Sequence, residues 1–486
     1  MRNIAEYLRE KYGKWGWLGQ RAHDSEGINS VLPLDFIVSC DYGMDTPHYS
    51  RGEDVFSIEK REKIRRDWSN EHLKSSLKGS LGREIFARWN SYGQRVNLIC
   101  YRSVKKLETN LKSLNKKPFI YAAPESLKRH FDNKVRLCGK LPKLSIPSIP
   151  CMVRQLGKVT FRELKEDISV PFVVQFPYGS SGNFTFIIRE KTELDDLNKK
   201  HAGQTVSIRK YIDGFSLNVN GIIISTEDGP GTFCSFPSMQ IVGVRECSNY
   251  PTSFCGNDYA AACRLGKDLI SQVERNVKVV GAWMAKTGFR GIFGMDFVVG
   301  DGNVYPVEIN PRFQNSTSLY TVLEGMQKSG NNRLFLLHIA EFLQKKDKAM
   351  RKYIRSFPVG ELMDKIKGSQ IIVHNRLARN VVTGDLPPGV YRLEGGGLRK
   401  VRDGATLGCC LGPDDILITC GVPKPFTLVE PNAPICKIQM RSGILDPAGK
   451  RQVVNKAKKI ISCVYDRLGL KSEEEAMSVS GTRSYD

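Results

Sequence analysis

The chain has 486 residues, of which 41% are hydrophobic and 26% charged, with a formal net charge of +22. That composition excludes a disordered polymer, and the length predicts about three domains. No apolar run reaches the ~18 residues of a membrane helix, and the amino terminus MRNIAEYLREKYGKWGW lacks a signal-peptide core, so a cytoplasmic protein with no membrane partner is expected.

The basic excess lies mainly in residues 1–150 and 351–486. Its densest run, KREKIRRDW (60–68), is interrupted by acids and reads as a solvated helix face, which argues against a nucleic-acid partner. Basic flanks of this kind can still attract an acidic substrate or an acidic carrier protein. The 13 cysteines contain no CxxC pair, a spacing that predicts reduced, buried thiols, neither a disulfide framework nor a zinc site.

In chain order, FIVSC (36–40) and VNLICY (96–101) are short apolar runs, the second a buried strand. A helix begins at Pro124–Glu125. The proline-rich LPKLSIPSIPCMV (141–153) is a linker. VPFVVQF (170–176) and FTFIIRE (184–190) are strands around the loop YGSSGNF. TVSIRKYIDG (205–214) and SLNVNGIII (216–224) are two more strands, joined at Asp213-Gly214. A helix is expected over about 257–287, because Leu269, Val273, Val277, Val280 and Met284 form one stripe. FGMDFVV and VYPVEIN form a hairpin turning at Asp301-Gly302. A second helical region covers about 332–356. From about 366 the texture changes to short β runs, closed by a helix near 452–469.

The hairpin carries the chemistry. Asp296 lies on its first strand, and Glu308 and Asn310 lie two apart on the second, facing the same way. Three oxygen donors converging there suit Mg²⁺ or Mn²⁺ rather than zinc. Arg312 follows as a fixed cation. Gly179, Ser180, Ser181 and Gly182 form a loop whose backbone N–H groups can cradle phosphate.

These residues resemble the ATP-grasp superfamily of carboxylate–amine ligases. The pattern ESL…NK…IPSIP…GSSG…KYIDG…FGMDF…EINPRFQ is similar to the L-amino-acid ligase and peptide-ligase branch, including the pheganomycin-type peptide ligase. The resemblance implies an α/β ATP-grasp fold in three parts: an amino-terminal substrate domain (1–118), an ATP-grasp core (119–355, small lobe about 156–212) and a β-rich tail (356–486). It implies ATP with two Mg²⁺ or Mn²⁺ ions on Asp296, Glu308 and Asn310. Lys134 in FDNKVR would hold phosphate. Gln175 stands where relatives carry a second phosphate lysine, and it brings a hydrogen bond without a charge. Lys210, Tyr211 and Ile212 would offer backbone groups to adenine, with Asp213, Ser216 or Asn218 near the ribose. Arg312 and Arg290 would neutralise the transferring phosphoryl group. The implied reaction joins an amino acid or small peptide carboxylate to an amine through an acyl phosphate and releases ADP. The alternatives are loading of an acidic carrier protein and a non-catalytic nucleotide-binding regulator; a homodimer is compatible with either class.

Overall fold

The computed structural model describes residues 4–50, 54–104, 115–179, 182, 184–327, 333–446, 452–472 and 475. Five parallel strands open the fold, in the spatial order Val55–Ser57, Phe36–Ser39, Trp15–Leu18, Asn97–Cys100, Phe119–Tyr121. All but the edge strand Phe119–Tyr121 are buried on both faces, which is why their sequences are short apolar runs. Trp17, Ile37 and Ile99 pack on one side of this sheet, and Phe36, Val38 and Leu98 on the other.

A four-stranded antiparallel sheet follows, in the order Cys151–Gln155, Thr205–Lys210, Phe172–Gln175, Thr185–Ile188. Its core includes Phe172, Val174, Val206 and Ile208. Then comes an eleven-stranded antiparallel sheet whose first members are Asn303–Asn310, Gly291–Gly300 and Phe215–Thr226. The strands flanking Asp213-Gly214 therefore do not pair with each other. The chain crosses from the small sheet into the large one at that point, and the segment is a hinge between two layers.

The helix Lys267–Lys286 lies across the large sheet. Val273, Val277, Val280 and Met284 meet Leu217, Val219, Phe293, Met295 and Phe297, so the expected stripe is the packing face. Its start is a correction. Residues Phe254–Asp258 are a strand and Tyr259–Ala262 a separate turn of helix, and the long helix begins only after Gly266 at its N-cap. The second helical region is likewise two helices, Arg333–Leu343 and Lys348–Arg355, because the Asp347 side chain caps a new start through the N–H groups of Ala349 and Met350. The helix Asn315–Gly325 was not anticipated from the sequence; it carries the Gln314–Thr317 capping box.

The large sheet runs on beyond residue 355. Ser369–His374 pairs with Phe254–Asp258 of the core and with Pro434–Met440 of the tail. Leu428–Val429 pairs with Ile64–Arg65 of the amino-terminal part. The tail is thus built into the same sheets as the core. Cys138 and Cys151 are disulfide-bonded, contrary to the expectation of thiols throughout; the pair joins the helix Lys134–Lys140 to the strand Cys151–Gln155. Of the 11 free cysteines, only Cys263 and Cys409 are not fully buried. No described helix is long and apolar enough to cross a membrane.

Candidate active site

The hairpin forms around the expected turn. Asp301 and Gly302 both take positive φ, 51° and 73°, as a two-residue turn of this hand requires. A bulge between Asp296 and Phe297 sets Asp296 opposite Glu308 and Gly294 opposite Asn310. On the other flank Asp296 faces Asn218. Asn218, Asp296 and Glu308 therefore stand in one row across three strands, while Met295 and Phe297 point into the core.

Amide donors hold Asp296. Asn218 donates to Oδ1 at 2.6 Å, Gln240 to Oδ1 at 3.1 Å and Asn310 to Oδ2 at 3.1 Å. Burial, and then the neighbouring charge of Glu308, push its pKa up to about 7 despite these bonds. Lys134 reaches Glu308 Oε1 at 2.9 Å and the Gly179 carbonyl at 3.2 Å. Arg312 donates to Asn310 Oδ1 at 2.8 Å and to the Tyr101 hydroxyl at 3.3 Å. Among the described residues no three His, Cys, Asp or Glu side chains group as a metal site, so the donor set here is two carboxylates and an amide.

Apart from Lys134, these groups line a polar cavity of about 200 Å³. Its far wall comes from the parallel sheet. Arg21 follows the strand Trp15–Leu18, and Tyr101 and Arg102 follow Asn97–Cys100, at the carboxyl ends where parallel sheets place their sites. The Arg102 and Arg312 guanidiniums both lie over the Tyr101 ring, 5.4 and 5.6 Å from its centroid. Nε of each has no hydrogen-bond partner among the described residues. Burial, and then the charge of Arg312, pull Arg102 down to about 10. Two half-buried cations beside one ring, each with an unused Nε donor, form a receptor for an anion.

A second cavity, about 210 Å³, adjoins the first through Gly182, Gln240, Val242, Thr252 and Val307. It is lined mainly by apolar groups, with Gln175, Lys210, Tyr211, Ile212 and Ser216 on its wall. Gln175 contacts Thr185 Oγ1 at 3.4 Å. The N–H groups of Lys210 and Tyr211 already donate to the carbonyls of Pro150 and Pro171, so those two donors are spent.

Gly182 of the glycine loop lines both cavities. Gly182 takes φ +85°, and a side chain there would collide with the Thr252 carbonyl. Ser180 and Ser181 lie outside the described residues.

Two expected residues are elsewhere. Arg290 donates to the carbonyls of Ala285 and Phe289 and pairs with Glu341 at 3.7 Å. It closes the end of the long helix, because the strand turns at Gly291 before reaching the cavity. Asp213 is exposed and lines neither cavity, since the hinge turns it to solvent. Asn218 serves Asp296 rather than a ribose. Arg21, Asp24, Tyr101, Arg102 and Gln240 escaped sequence reasoning. A usable signal existed for the arginines: each follows an apolar strand by two or three residues, in WGWLGQR and NLICYR.

A four-stranded and a large antiparallel sheet holding a nucleotide-sized cleft, with a parallel domain beyond, is the ATP-grasp fold. Residues 131–316 match the family model described as an ATP-grasp domain, and this chain carries that domain. Among curated proteins, 199 residues are 25% identical to the arginine-specific large chain of carbamoyl phosphate synthase from Geobacillus stearothermophilus. The match spans 40% of this chain and 18% of that relative. The biotin carboxylase domain of Hydrogenobacter thermophilus 2-oxoglutarate carboxylase superposes with a TM-score of 0.54 at 11% identity, covering 88% of this chain and 86% of that one. N5-carboxyaminoimidazole ribonucleotide synthetase from Thermus thermophilus gives 0.53 at 12%, covering 93% and 98%. Phosphoribosylamine–glycine ligase from Thermotoga maritima gives 0.51 at 14%, covering 88% and 92%. At such identities these structures share the fold.

Proposed function

We propose that the chain is an ATP-dependent ligase that joins a carboxylate to an amine and releases ADP and phosphate. The observation that carries this reading is the convergence of Asp296, Glu308, Asn310 and Arg312 on one polar cavity that opens into the apolar cavity beside the hinge. The apolar cavity suits adenine, and the polar one suits the phosphates and the second substrate.

Asp296, Glu308 and Asn310 fit Mg²⁺ or Mn²⁺: their oxygens are hard donors, and Asp296 is raised first by burial and then by the charge of Glu308, both of which a divalent cation would offset. Bound there, one or two such ions supply positive charge at the terminal phosphate oxygens. Lys134 is within reach of both Glu308 and the glycine loop, so it turns from the carboxylate to phosphate when nucleotide enters. Arg312 and Arg102 hold the carboxylate and the transferring phosphoryl group. The carboxylate oxygen attacks the γ-phosphorus, ADP leaves, and an acyl phosphate remains. The amine then attacks the acyl carbon and phosphate departs. The loop around Gly179–Gly182 excludes water from the acyl phosphate.

For substrate, we favour an amino acid or small peptide. The cavity presents Arg21, Arg102 and Arg312 together with Asp24 and Asp67, both signs that a zwitterion needs. An acidic carrier protein would use the basic surface instead, but the mixed charge of the cavity favours a free small molecule. ADP release screened over amino acids singly and in pairs, with mass detection of the product, tests this choice. A coupled amide in any pair supports it, and ADP release with no amino acid pair contradicts it.

A further inference from the structure

We propose that Asp24 receives the amine substrate, binding its ammonium group and taking its proton before the nitrogen attacks, with His23 as the positioning residue behind it. This inference rests on the ligase reading above.

Asp24 lines the same cavity as Arg312, Arg102 and Glu308, yet it comes from the loop after the first parallel strand, across the cavity from the hairpin. It is only 4% exposed, and its Oδ1 is shielded on the side of His23 and Lys437, making no hydrogen bond among the described residues. A carboxylate buried with so few hydrogen bonds is costly unless a group entering the cavity offsets that cost. Asp67, the other acid on that wall, is exposed and screened by solvent.

Behind Asp24 the fold builds a support. His23 Nε2 lies 3.4 Å from Asp24 Oδ1, and His23 Nδ1 lies 3.7 Å from Asp41 Oδ2. Lys437, from the tail strand Pro434–Met440, stands 4.0 Å from Asp24 Oδ1. Burial holds the His23 imidazole neutral, helped by the charges of Lys437, Arg21 and Arg65. Burial also raises Asp24 above the ordinary carboxylate range, opposed by Lys437, Arg21, Arg312 and Arg102. The result is a carboxylate more basic than usual, facing a cavity otherwise rich in cations. Those cations disfavour a bound ammonium and favour the neutral amine, which is the nucleophile.

The step balances. The ammonium gives one proton to Asp24. The nitrogen lone pair forms the C–N bond to the acyl carbon as the C–O bond to phosphate breaks, and phosphate leaves with that electron pair. The second N–H proton goes to the departing phosphate.

The test compares two probe nucleophiles on the full chain with ATP, Mg²⁺ and a mixture of the proteinogenic amino acids as acyl donors. Ammonium chloride is protonated at neutral pH, whereas hydroxylamine is largely unprotonated and needs no base. In Asp24→Asn, amide formation from ammonium should fall at least about 50-fold, on the scale of losing a general base. Hydroxamate formation from hydroxylamine should fall about tenfold less than amide formation does, and the hydroxamate that still forms shows that the variant folds and makes acyl phosphate. Amide formation by Asp24→Asn should recover about tenfold per pH unit as free ammonia increases, and His23→Asn should show the same pattern with a smaller loss. Equal loss with both nucleophiles, or no loss with either, overturns the assignment. A wild-type protein that makes neither product contradicts the ligase reading, and the role of Asp24 falls with it.

Discussion

Lys134 and Glu308, 174 positions apart, form an ion pair of 2.9 Å in which the lysine is almost fully buried. The lysine begins the helix Lys134–Lys140, and the glutamate ends the hairpin. Arg209 fastens the two elements, donating to the Val307 carbonyl at 3.0 Å and to the Lys134 carbonyl at 3.2 Å. In the proposed reading, the cation assigned to phosphate and the carboxylate assigned to metal neutralise each other in the nucleotide-free chain.

Removing either partner should have distinct effects. Glu308→Ala should lower kcat at least about 10²-fold, the scale of one well-placed electrostatic stabiliser. Lys134→Ala should act mainly through nucleotide binding and raise the KM for ATP at least about tenfold. Steady-state kinetics over ATP and Mg²⁺ separates the two, and near wild-type turnover in Glu308→Ala would remove the metal assignment.

Gln175 should tolerate change. It lies on the wall of the apolar cavity with one contact at 3.4 Å to Thr185. Gln175→Lys should keep ATP affinity or tighten it, since a lysine there restores the charge that the resembled ligases carry and the proposed phosphate cavity adjoins this one. Calorimetry with an ATP analogue reads this directly, and loss of binding would misplace the phosphates.

Asp296 predicts a pH dependence. Its folded pKa of about 7 exceeds the unfolded value of 3.8, so between these values only the folded state keeps the proton. Without metal, stability falls as pH rises through this window, and below 3.8 the contribution is complete. Mg²⁺ must displace that proton, so the thermal shift on adding Mg²⁺ with ADP should be larger at pH 8 than at pH 6. In Asp296→Asn the metal-dependent shift should vanish, and the metal-free Tm at pH 8 should exceed that of the wild type. A Mg²⁺ response that does not change with pH would contradict the pairing of Asp296 with Glu308.

The tail should be inseparable from the rest. Arg65 is buried, paired with Glu59, and donates to the carbonyls of Gly421 and Ile435. Asp45 accepts from the N–H groups of Gly421 and Val422. A chain ending near residue 360 would strip Arg65 of two acceptors and Asp45 of its backbone donors and expose the edge of Phe254–Asp258, so it should be insoluble. Arg65→Ala should cost ~3–5 kcal/mol, the range for breaking a buried pair, seen as a lowered denaturation midpoint. A soluble 1–360 fragment that binds ATP would contradict this.

What the sequence revealed was local. The hairpin, its turn and the row of oxygen donors follow from alternation and an Asp-Gly pair, all within twenty residues. The stripe on the long helix follows from spacing alone. The opposite wall was hidden, because Arg21, Asp24 and Arg102 reach the cavity only through the order of parallel strands, which pairs segments up to 82 positions apart. Arg290 misled by proximity: next to a functional strand in sequence, it lies at the strand's far end. The tail looked separate because glycine-rich β runs change the texture of the chain, while sheet continuity through Ser369–His374 depends on pairing that no local pattern records.

The most direct measurement of the central claim is the nucleotide product. The full chain, incubated with ATP, Mg²⁺, a carboxylate donor and an amine, is assayed in parallel for ADP, AMP, phosphate and pyrophosphate. The account predicts ADP and phosphate in equal amounts, matched by amide and abolished in Glu308→Ala. AMP with pyrophosphate would mean attack at the α-phosphorus and would contradict it.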